Sequence, residues 1–346
     1  MTIYKVGGCV RDEVMGLTPK DIDYVVVGST EQEMLDQGFD KVGSGFPVFI
    51  HPKTRDEYAL ARTEKKTGKG YLGFETYFGP EVTLSEDLLR RDFTMNAMAE
   101  KDGQIYDPHN GRGDIEDGVV RHVNEKAFIE DPVRILRAAR FAARYDFIVD
   151  PETIVLIHKI PLEEIDSVPR ERVIRELEKA LKDGKGYQFL KNLSEMHDFM
   201  IDLFYGCNFV SNLVHIDAVY KKLGMEGALC LMAEFAASNG YAFLDLYKSS
   251  TDTKALYRLI VLSGQRHVFD PNEAYELITK SDYFRRPEFL QKLKLYMKLT
   301  TLDLVQIATE MAEIKASDVD PKYTGARLGV ELKKMRRKVF DDTVGL

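Results

Sequence analysis

The chain has 346 residues, which is enough for two or three domains with cores of their own. It is 44% hydrophobic and 30% charged, and no apolar run approaches the roughly 20 residues of a bilayer helix, which excludes a disordered tail and a membrane protein. The three cysteines stand far apart without a CxxC pair, which excludes a disulfide framework and a cysteine zinc site and favours the cytoplasm. The formal charge of −8 excludes a uniformly basic surface but permits local basic clusters.

The first 125 residues alternate β-rich runs with turn signals, which predicts a mixed sheet. Strands are predicted over residues 3–6, 24–27, 47–50 and 57–61, and a helical stretch over 10–16 follows the turn Gly7-Gly8. Glycines and lysines between residues 65 and 73 predict a mobile basic loop, and the apolar spacing from 84 to 99 predicts a helix. Beyond residue 130 the pattern predicts only helices. The predicted divisions are a head (1–125), a neck (126–195), and a body and tail (196–346).

Asp21 and Asp23 stand two residues apart where the second predicted strand begins. Side chains at positions i and i+2 of a strand project to the same face, so two carboxylates converge there. Such a pair suits Mg²⁺, which is usually held by one or two carboxylates together with substrate phosphates. Acidic pairs at strand ends are commonly just solvated, but the nearby Gly7-Gly8 turn offers backbone N–H groups to a phosphate, and Arg11 adds a forked donor.

Asp131-Pro132 predicts the start of a helix, because an acceptor side chain precedes a proline at the first helical position. At 100° per residue, the arginines of this helix fall within an arc of about 120°. No Asp or Glu occurs from residue 132 to 144. We therefore expect the arginines to meet an anion, either a triphosphate or an RNA backbone. They are Arg134, Arg137, Arg140 and Arg144.

These segments together resemble a known family. They are GGCVRDEVMG with KDIDYVVVG, LLRRDFTMNAM at residues 88–98 and EDPVRILRAARFAAR at residues 130–144. Their order and spacing resemble the class II tRNA nucleotidyltransferases, the CCA-adding enzymes of the DNA polymerase β superfamily, most closely the bacterial ones. The resemblance covers about the first 190 residues and returns weakly near residues 323–339. It implies an α+β fold: a polymerase-β-like nucleotidyltransferase head with a mixed sheet, followed by an all-helical neck, body and tail.

The resemblance also implies roles for individual residues. Asp21 and Asp23 would be the catalytic residues and the Mg²⁺ ligands. The implied nucleotide contacts are Gly8, Arg11, Arg91, Asp131, Arg134, Arg137 and Arg140.

Asp131 and Arg134 would read the base. An Asp acceptor beside an Arg donor complements the amino group and ring nitrogen of cytosine or adenine, whereas uracil and guanine place a carbonyl oxygen before the carboxylate. Glu57 is a candidate third acid beside the metal pair. Arg90 or Arg91 would alternatively pair with Asp87 on a helix surface.

Asp92 and Asn96 would either orient the ribose or brace an arginine. Some bacterial relatives carry an HD-type phosphohydrolase domain, but neither His197-Asp198 nor His215 lies where its His-Asp motif would align, so no second hydrolase activity is expected. The last 20 residues contain a basic stretch suited to a tRNA backbone, although basic terminal helices are often only solubilising.

The expected activity is template-independent addition of C, C and A to tRNA 3′ ends from CTP and ATP, with release of pyrophosphate. Mg²⁺ is the expected cofactor, and tRNA, CTP and ATP are the expected partners, with no membrane and no evident protein partner. The alternatives are an A-adding enzyme or a poly(A) polymerase of the same superfamily, and a non-catalytic RNA-binding protein on a decayed scaffold.

Overall fold

The computed structural model describes residues 1–42, 48–68, 73–197, 210–236, 239–264, 270–297 and 303–344. The chain divides into two compact units, Met1–Leu203 and Phe204–Leu346. The predicted separation of a head from a neck at residue 125 stays a prediction.

The strands all belong to the first unit. They are β1 (Thr2–Val6), β2 (Asp23–Val27), β3 (Asp40–Val42), β4 (Val48–Ile50), β5 (Glu57–Leu60), β6 (Arg62–Lys66), β7 (Phe74–Phe78), β8 (Ala99–Lys101), β9 (Gln104–Tyr106), β10 (Val119–Val120) and β11 (Ile148–Val149), among the described residues. The helices of this unit are α1 (Gly8–Val14), α2 (Glu31–Asp36), α3 (Leu84–Leu89), α4 (Gly111–Glu116), α5 (Glu125–Glu130), α6 (Val133–Tyr145), α7 (Pro151–Lys159), α8 (Leu162–Asp166), α9 (Arg170–Lys182) and α10 (Gly186–Met196).

The second unit is helical in its described part. Its helices are α11 (Ile216–Phe235), α12 (Gly240–Leu246), α13 (Thr251–Ser263), α14 (Pro271–Lys280), α15 (Glu288–Met297), α16 (Leu304–Glu313) and α17 (Gly325–Val344). None of the described helices is both long and apolar enough to cross a membrane.

The main sheet has the strand order β3-β4-β5-β2-β1-β8-β9. β2 and β5 run parallel and the other neighbours run antiparallel, so the predicted mixed sheet is confirmed. Alternate residues of β2 are buried on opposite faces: Val25 packs in the cluster of Val6, and Val26 packs in the cluster of Phe49. Both faces of β2 are therefore covered, and its exposed residue is the first one, Asp23, at the end of the strand.

The predicted helix over residues 84–99 is wrong beyond Leu89. α3 begins at a capping box in which Thr83 accepts from the backbone N–H of Glu86, and it ends after six residues. The chain then extends, because Phe93 enters the core and the backbone N–H of Thr94 donates to the carbonyl oxygen of Arg121 at 3.0 Å. A continued helix would have used this amide internally. The segment closes with a short 3₁₀ turn, Thr94–Asn96, before β8.

Two further predictions are corrected in part. The flanks of the predicted basic loop form an antiparallel hairpin, β6–β7, and residues 69–72 of that loop lie outside the described residues. The part of the chain beyond residue 130 is not purely helical, because β11 pairs in parallel with β10. Cys9 and Cys230 are free and buried, and Cys207 lies outside the described residues.

The core of the second unit gives a test of its packing. Phe340 on α17 is fully buried against the ring of Tyr275, 5.3 Å away between ring centroids. Phe340→Ala should lower the free energy of unfolding of this unit by about 3–5 kcal/mol, because the missing ring leaves a void. Val330→Ala, at a position 54% exposed on the same helix, should change it by less than about 0.5 kcal/mol. Urea denaturation followed by circular dichroism measures both, and equal decreases would contradict the packing described here.

Candidate active site

A cavity of about 790 Å³ opens in the first unit, and the predicted catalytic and nucleotide-contact residues all line it, whereas Glu57 does not. Its lining holds eleven Arg and Lys side chains against five Asp side chains, so it is strongly basic although the whole chain is acidic. The predicted residues that it brings together are Gly8, Arg11, Asp21, Asp23, Arg91, Asp131, Arg134, Arg137 and Arg140.

One wall of the cavity is the turn between β1 and α1. Gly7 has a φ of 79°, a conformation that glycine adopts without strain. A Cβ atom at Gly7 would also lie 2.8 Å from Nη1 of Arg91. The turn therefore needs glycine for two reasons, and it places the start of α1 directly beside the Arg91 guanidinium.

Arg11 is buried behind this turn. Its Nη1 donates to Oδ1 of Asn96 at 2.6 Å, and its Nε and Nη2 donate to Asp12 at 2.9 and 2.6 Å. Its guanidinium lies 5.2 Å from the ring centroid of Phe141 and 5.1 Å from that of Tyr145. These contacts hold the cation in one orientation with little freedom to move.

Asp23 is the first residue of β2, and Asp21 lies two residues before it, outside the strand, but both line the cavity. Burial raises the pKa of Asp23, and the neighbouring charge of Asp21 raises it further, while Arg91 opposes both effects. A carboxylate whose pKa is raised by burial and by a second carboxylate gains from a shared cation. Glu57 pairs with Asp23 in the parallel β2–β5 register, but no group of three acidic, His or Cys side chains among the described residues is arranged as a metal site.

Asp87 of α3 anchors the arginines at the floor of the cavity. It is fully buried, and its Oδ1 accepts from Nη2 of Arg90 at 2.7 Å while its Oδ2 accepts from Nη2 of Arg91 at 3.0 Å. Its Oδ1 also accepts from the backbone N–H of Arg62 in β6 at 3.3 Å. Burial alone would raise the pKa of Asp87, but the charges of Arg90 and Arg91 outweigh it and lower the pKa. Arg91 therefore pairs with Asp87, which was one expectation, and it also lines the cavity, which was the other.

Asp92 and Asn96 brace arginines rather than standing free for a ribose. Oδ2 of Asp92 accepts from Nε of Arg137 at 2.6 Å, and Oδ1 of Asp92 accepts from the Asn96 amide at 3.0 Å. Burial would raise the pKa of Asp92, but the charges of Arg137 and Arg134 hold it well below its ordinary value. This carboxylate stays ionised and keeps Arg137 in place at neutral pH.

The four arginines along α6 form an arginine stripe. The sequence predicted that this stripe has no acidic partners in the protein, and the structure contradicts that prediction. Its acids come from other elements, which a pattern within one helix cannot show. Nε of Arg140 donates to the buried Glu176 of α9 at 2.5 Å, and Arg144 lies 3.7 Å from Asp183. Nη1 of Arg137 also lies 3.9 Å from Oε1 of Glu176, so three of the four arginines pair with acids at or near α9, and all four line the cavity.

Asp131 and Arg134 both line the cavity, and each is held by the protein. Both oxygens of Asp131 accept from Arg172 of α9, at 3.0 Å each. The guanidinium of Arg134 donates to the backbone carbonyl oxygens of Arg90 and Arg91, at 2.6 and 2.8 Å. The two side chains therefore converge on one cavity, as expected, and are fixed by hydrogen bonds that the sequence did not reveal.

Sequence reasoning missed Asp87, Glu176 and Arg172 as functional positions. An acid four residues before Arg91 was visible, but helix spacing alone could not show that its carboxylate is fully buried. Arg172 and Glu176 lie four apart in α9, a spacing that puts both on one helix face toward α6. Further basic residues on the lining are Lys20, Lys179 and Lys182.

The histidines considered for a second hydrolase do not form a described cluster with acids. The ring of His197 stacks on that of His158 at 4.7 Å between centroids, and Asp198 lies outside the described residues. His215 immediately precedes α11. The absence of a second hydrolase activity stays a prediction.

A mixed sheet with two carboxylates at one strand end, facing a basic cavity that a phosphate chain would neutralise, defines a nucleotidyltransferase. Residues 3–121 match the family model of the poly A polymerase head domain. A CCA-adding enzyme of Pseudomonas putida (strain W619) is 38% identical over 360 residues, covering 97% of this chain and 96% of that protein. The chain therefore belongs to the CCA-adding enzymes.

Other similarities agree. A multifunctional CCA protein of Chromobacterium violaceum is 56% identical over 197 residues, which is 56% of this chain and 48% of that protein. A solved structure of a CCA-adding enzyme in an apo form has a TM-score of 0.68 at 22% identity, covering 98% of this chain and 88% of that one. This last similarity concerns the fold.

The anchoring of the arginines by Asp87 gives a second test. Asp87→Asn should raise the KM for CTP by about tenfold, because the amide NH₂ that replaces one carboxylate oxygen cannot accept a hydrogen bond, so Arg90 or Arg91 loses its partner, and the loss of charge leaves both guanidiniums less well held. Steady-state kinetics with CTP measures the effect. Asp166→Asn is the matched control, since Asp166 is an exposed acid that pairs with Arg170 on the surface. An unchanged KM in Asp87→Asn would show that Arg91 needs no anchor.

Proposed function

We propose that the cavity of the first unit binds CTP and ATP and adds C, C and A to the 3′ ends of tRNA, with release of pyrophosphate. The observation that carries the proposal is the meeting of the Asp21–Asp23 pair with a strongly basic lining in one cavity, in a chain of the CCA-adding family. In the reaction, the 3′ oxygen of the RNA forms a bond to the α-phosphorus, and the bond from that phosphorus to the departing diphosphate breaks.

Nucleotidyltransferases of this family generally use a divalent metal, and we propose Mg²⁺ held by Asp21 and Asp23. The donor set fits this ion, because both ligands are carboxylate oxygens and their mutual repulsion is relieved by a cation. When bound, such ions activate the attacking oxygen and stabilise the leaving one. Glu57, next to Asp23 in the sheet, stays a candidate for further support.

The triphosphate would lie along the arginines. Arg11, Arg91, Arg137 and Arg140 are each held by at least one protein acceptor, so their positions are fixed before the nucleotide arrives. A guanidinium carries five N–H groups, and those not used by the protein remain for phosphate oxygens. Because the cations are fixed in advance, binding loses little side-chain entropy. The Gly7-Gly8 turn lets the triphosphate approach the backbone of Gly8 closely.

Base selection would fall to Asp131 and Arg134. The carboxylate accepts from the amino group of cytosine or adenine, and the guanidinium donates to N3 of cytosine or N1 of adenine. Uracil and guanine present a carbonyl oxygen to Asp131, and two acceptors facing one another without a proton repel. One pair of side chains thus accepts the two required bases and rejects the other two.

The basic end of the chain contributes less free charge than its sequence indicated. On α17, the guanidinium of Arg336 stacks on Phe284 and donates to the carbonyl oxygen of Ile314, and Arg337 bonds Asp341. These two arginines stabilise the second unit. Arg327, Lys333 and Lys338 are exposed, and we propose that they contact the tRNA backbone.

One assay separates this proposal from its alternatives. The protein is incubated with tRNA that lacks its CCA end, with tRNA ending in C or CC, and with one labelled nucleotide at a time. A CCA-adding enzyme incorporates C on the first two substrates and A on the last. An A-adding enzyme uses only the CC end, a poly(A) polymerase adds long A tracts, and a decayed scaffold incorporates nothing. A cytoplasmic location stays a prediction.

Removing either metal-binding carboxylate tests the catalytic assignment. Asp21→Ala and Asp23→Ala should abolish nucleotide incorporation while leaving tRNA binding nearly intact, because these carboxylates hold the metal and the RNA is gripped elsewhere. Incorporation with Mg²⁺ and gel-shift binding measure the two properties. Asp36→Ala, at an exposed acid of α2, is the control and should keep full activity. Appreciable turnover by either variant would show that the assignment is wrong.

The exposed lysines of α17 give a fourth test. Lys333→Gln/Lys338→Gln should weaken tRNA binding and reduce the slope of log affinity against log salt by about 0.7–0.9 for each phosphate that the protein no longer neutralises. The KM for CTP should not change. Lys221→Gln/Lys280→Gln removes the same charge from exposed positions on α11 and α14 and serves as the control. The same slope in both variants would return α17 to a merely solubilising role.

A further inference from the structure

We infer that Arg172 determines the nucleobase selectivity of the site, by fixing the carboxylate of Asp131 in the one orientation that accepts a base amino group. The inference rests on the proposed reading of the base by Asp131 and Arg134. Arg172 lies on α9 and lines the same cavity as both of them. It acts through Asp131, so it is a positioning residue.

The contact between Arg172 and Asp131 has a defined geometry. Nη1 donates to Oδ1 and Nη2 donates to Oδ2, each at 3.0 Å, so the planar guanidinium and the planar carboxylate meet fork to fork. Asp131 itself lies in extended backbone between α5 and Pro132, with φ −124° and ψ 92°. Its own backbone holds the side chain through one hydrogen bond, from the N–H of Val133 at 3.3 Å, whereas Arg172 makes two shorter ones from a helix of 13 residues. Arg172 of α9 therefore makes two of the three hydrogen bonds that orient the carboxylate, and the two shorter ones.

The acceptor positions of Asp131 that the protein leaves open define what a ligand can use. An ionised carboxylate offers about four lone-pair positions, two on each oxygen. Arg172 uses one on each oxygen, and the backbone N–H of Val133 donates to Oδ1 at 3.3 Å. Oδ1 is then filled, and Oδ2 keeps one acceptor position. A single N–H of a cytosine or adenine amino group satisfies that position.

Removing the fork would change selectivity and not only strength. Without the fork, the carboxylate keeps only the 3.3 Å contact with the N–H of Val133 and can rotate about it, so it no longer presents a fixed acceptor and cytosine and adenine lose a hydrogen bond. It can also turn away from a carbonyl oxygen, so uracil and guanine lose a repulsion. Use of CTP and ATP is weakened and use of UTP and GTP is favoured, so the ratio of kcat/KM between the preferred and the rejected nucleotides falls.

Lysine at this position separates charge from geometry. A lysine keeps the positive charge beside Asp131, but its ammonium group is a compact point charge that cannot match a carboxylate with two parallel hydrogen bonds. If only charge matters, Arg172→Lys retains selectivity. If the fork matters, Arg172→Lys and Arg172→Gln both lose it.

The experiment measures single-turnover incorporation of CTP, ATP, UTP and GTP by the full-length protein on tRNA ends that lack one or more of the CCA nucleotides. The variants are Arg172→Lys, Arg172→Gln and Asp131→Ala, with Arg175→Gln as the control. Arg175 is exposed and lies three residues further along the same helix, so the control removes the same charge from α9. Both Arg172 variants should lower the CTP/UTP and ATP/GTP ratios of kcat/KM by about tenfold or more, and Arg175→Gln should leave them unchanged. Thermal unfolding checks that each variant is folded, and Arg172→Lys carries the test if the Gln variant is not.

The outcomes separate the inference from the function on which it rests. Equal decreases for all four nucleotides in the Arg172 variants would overturn the inference, because a residue that only stabilises the fold does not distinguish bases. If Asp131→Ala loses selectivity while both Arg172 variants keep it, the reading of the base stands and the inference falls. If Asp131→Ala keeps selectivity, reading by Asp131 is wrong and the inference falls with it. Absence of any CCA addition by the unmodified protein would overturn the proposed function itself.

Discussion

Arginines crowd the cavity of the first unit, and cations at such a density repel one another unless acids lie between them. The protein meets this constraint with three buried carboxylates, of which Asp92 lies on the cavity lining and Asp87 and Glu176 lie outside it. Asp87 holds Arg90 and Arg91, Asp92 holds Arg137, and Glu176 holds Arg140. Buried acids with several donors stay ionised, so they fix the arginines without removing their capacity to donate to a phosphate. The site is thus built before any ligand arrives.

The same carboxylates join parts of the first unit that lie far apart in the sequence. Asp92 follows α3 and reaches α6, Glu176 of α9 reaches α6, and Asp87 reaches the start of β6. The cavity wall is therefore made of ion pairs between elements, in addition to the apolar packing beneath them. Replacing any one of these acids would displace an arginine, and a displacement of about an ångström would take it away from the phosphate that it is proposed to bind.

The path of the chain after α3 is essential to this arrangement. The helix stops at Leu89, and the next residues leave it to pair with the backbone near residue 121. The carbonyl oxygens of Arg90 and Arg91, released from a helix, accept from Arg134, while the side chain of Arg91 turns toward the cavity. One break in secondary structure therefore supplies both an arginine proposed to bind the triphosphate and the support for the residue proposed to read the base.

Much of the fold and of the candidate site could be predicted from the sequence alone. The β-rich runs between turn signals placed β1, β2, β4 and β5 within two residues of their observed ends, because such a run is a local pattern. The motifs singled out nine residues that line one cavity, because their types and spacing match the chemistry proposed for phosphate and metal binding. The mixed sheet followed by helices, and the membership of the CCA-adding enzymes, were confirmed.

What the tertiary structure decided was the partner of each charge and the end of each helix. Residues 84–99 carry a helical pattern, yet the chain leaves the helix after Leu89 because Phe93 is buried in the core and the backbone pairs with a distant strand-like segment. The arginine stripe of α6 has no acid within its own helix, and its partners come from segments that precede or follow it by 36 to 45 residues. Arg172 meets Asp131 across 41 residues for the same reason. A sequence pattern records what neighbours along the chain require, whereas an ion pair between elements exists only once their packing has brought the two charges together.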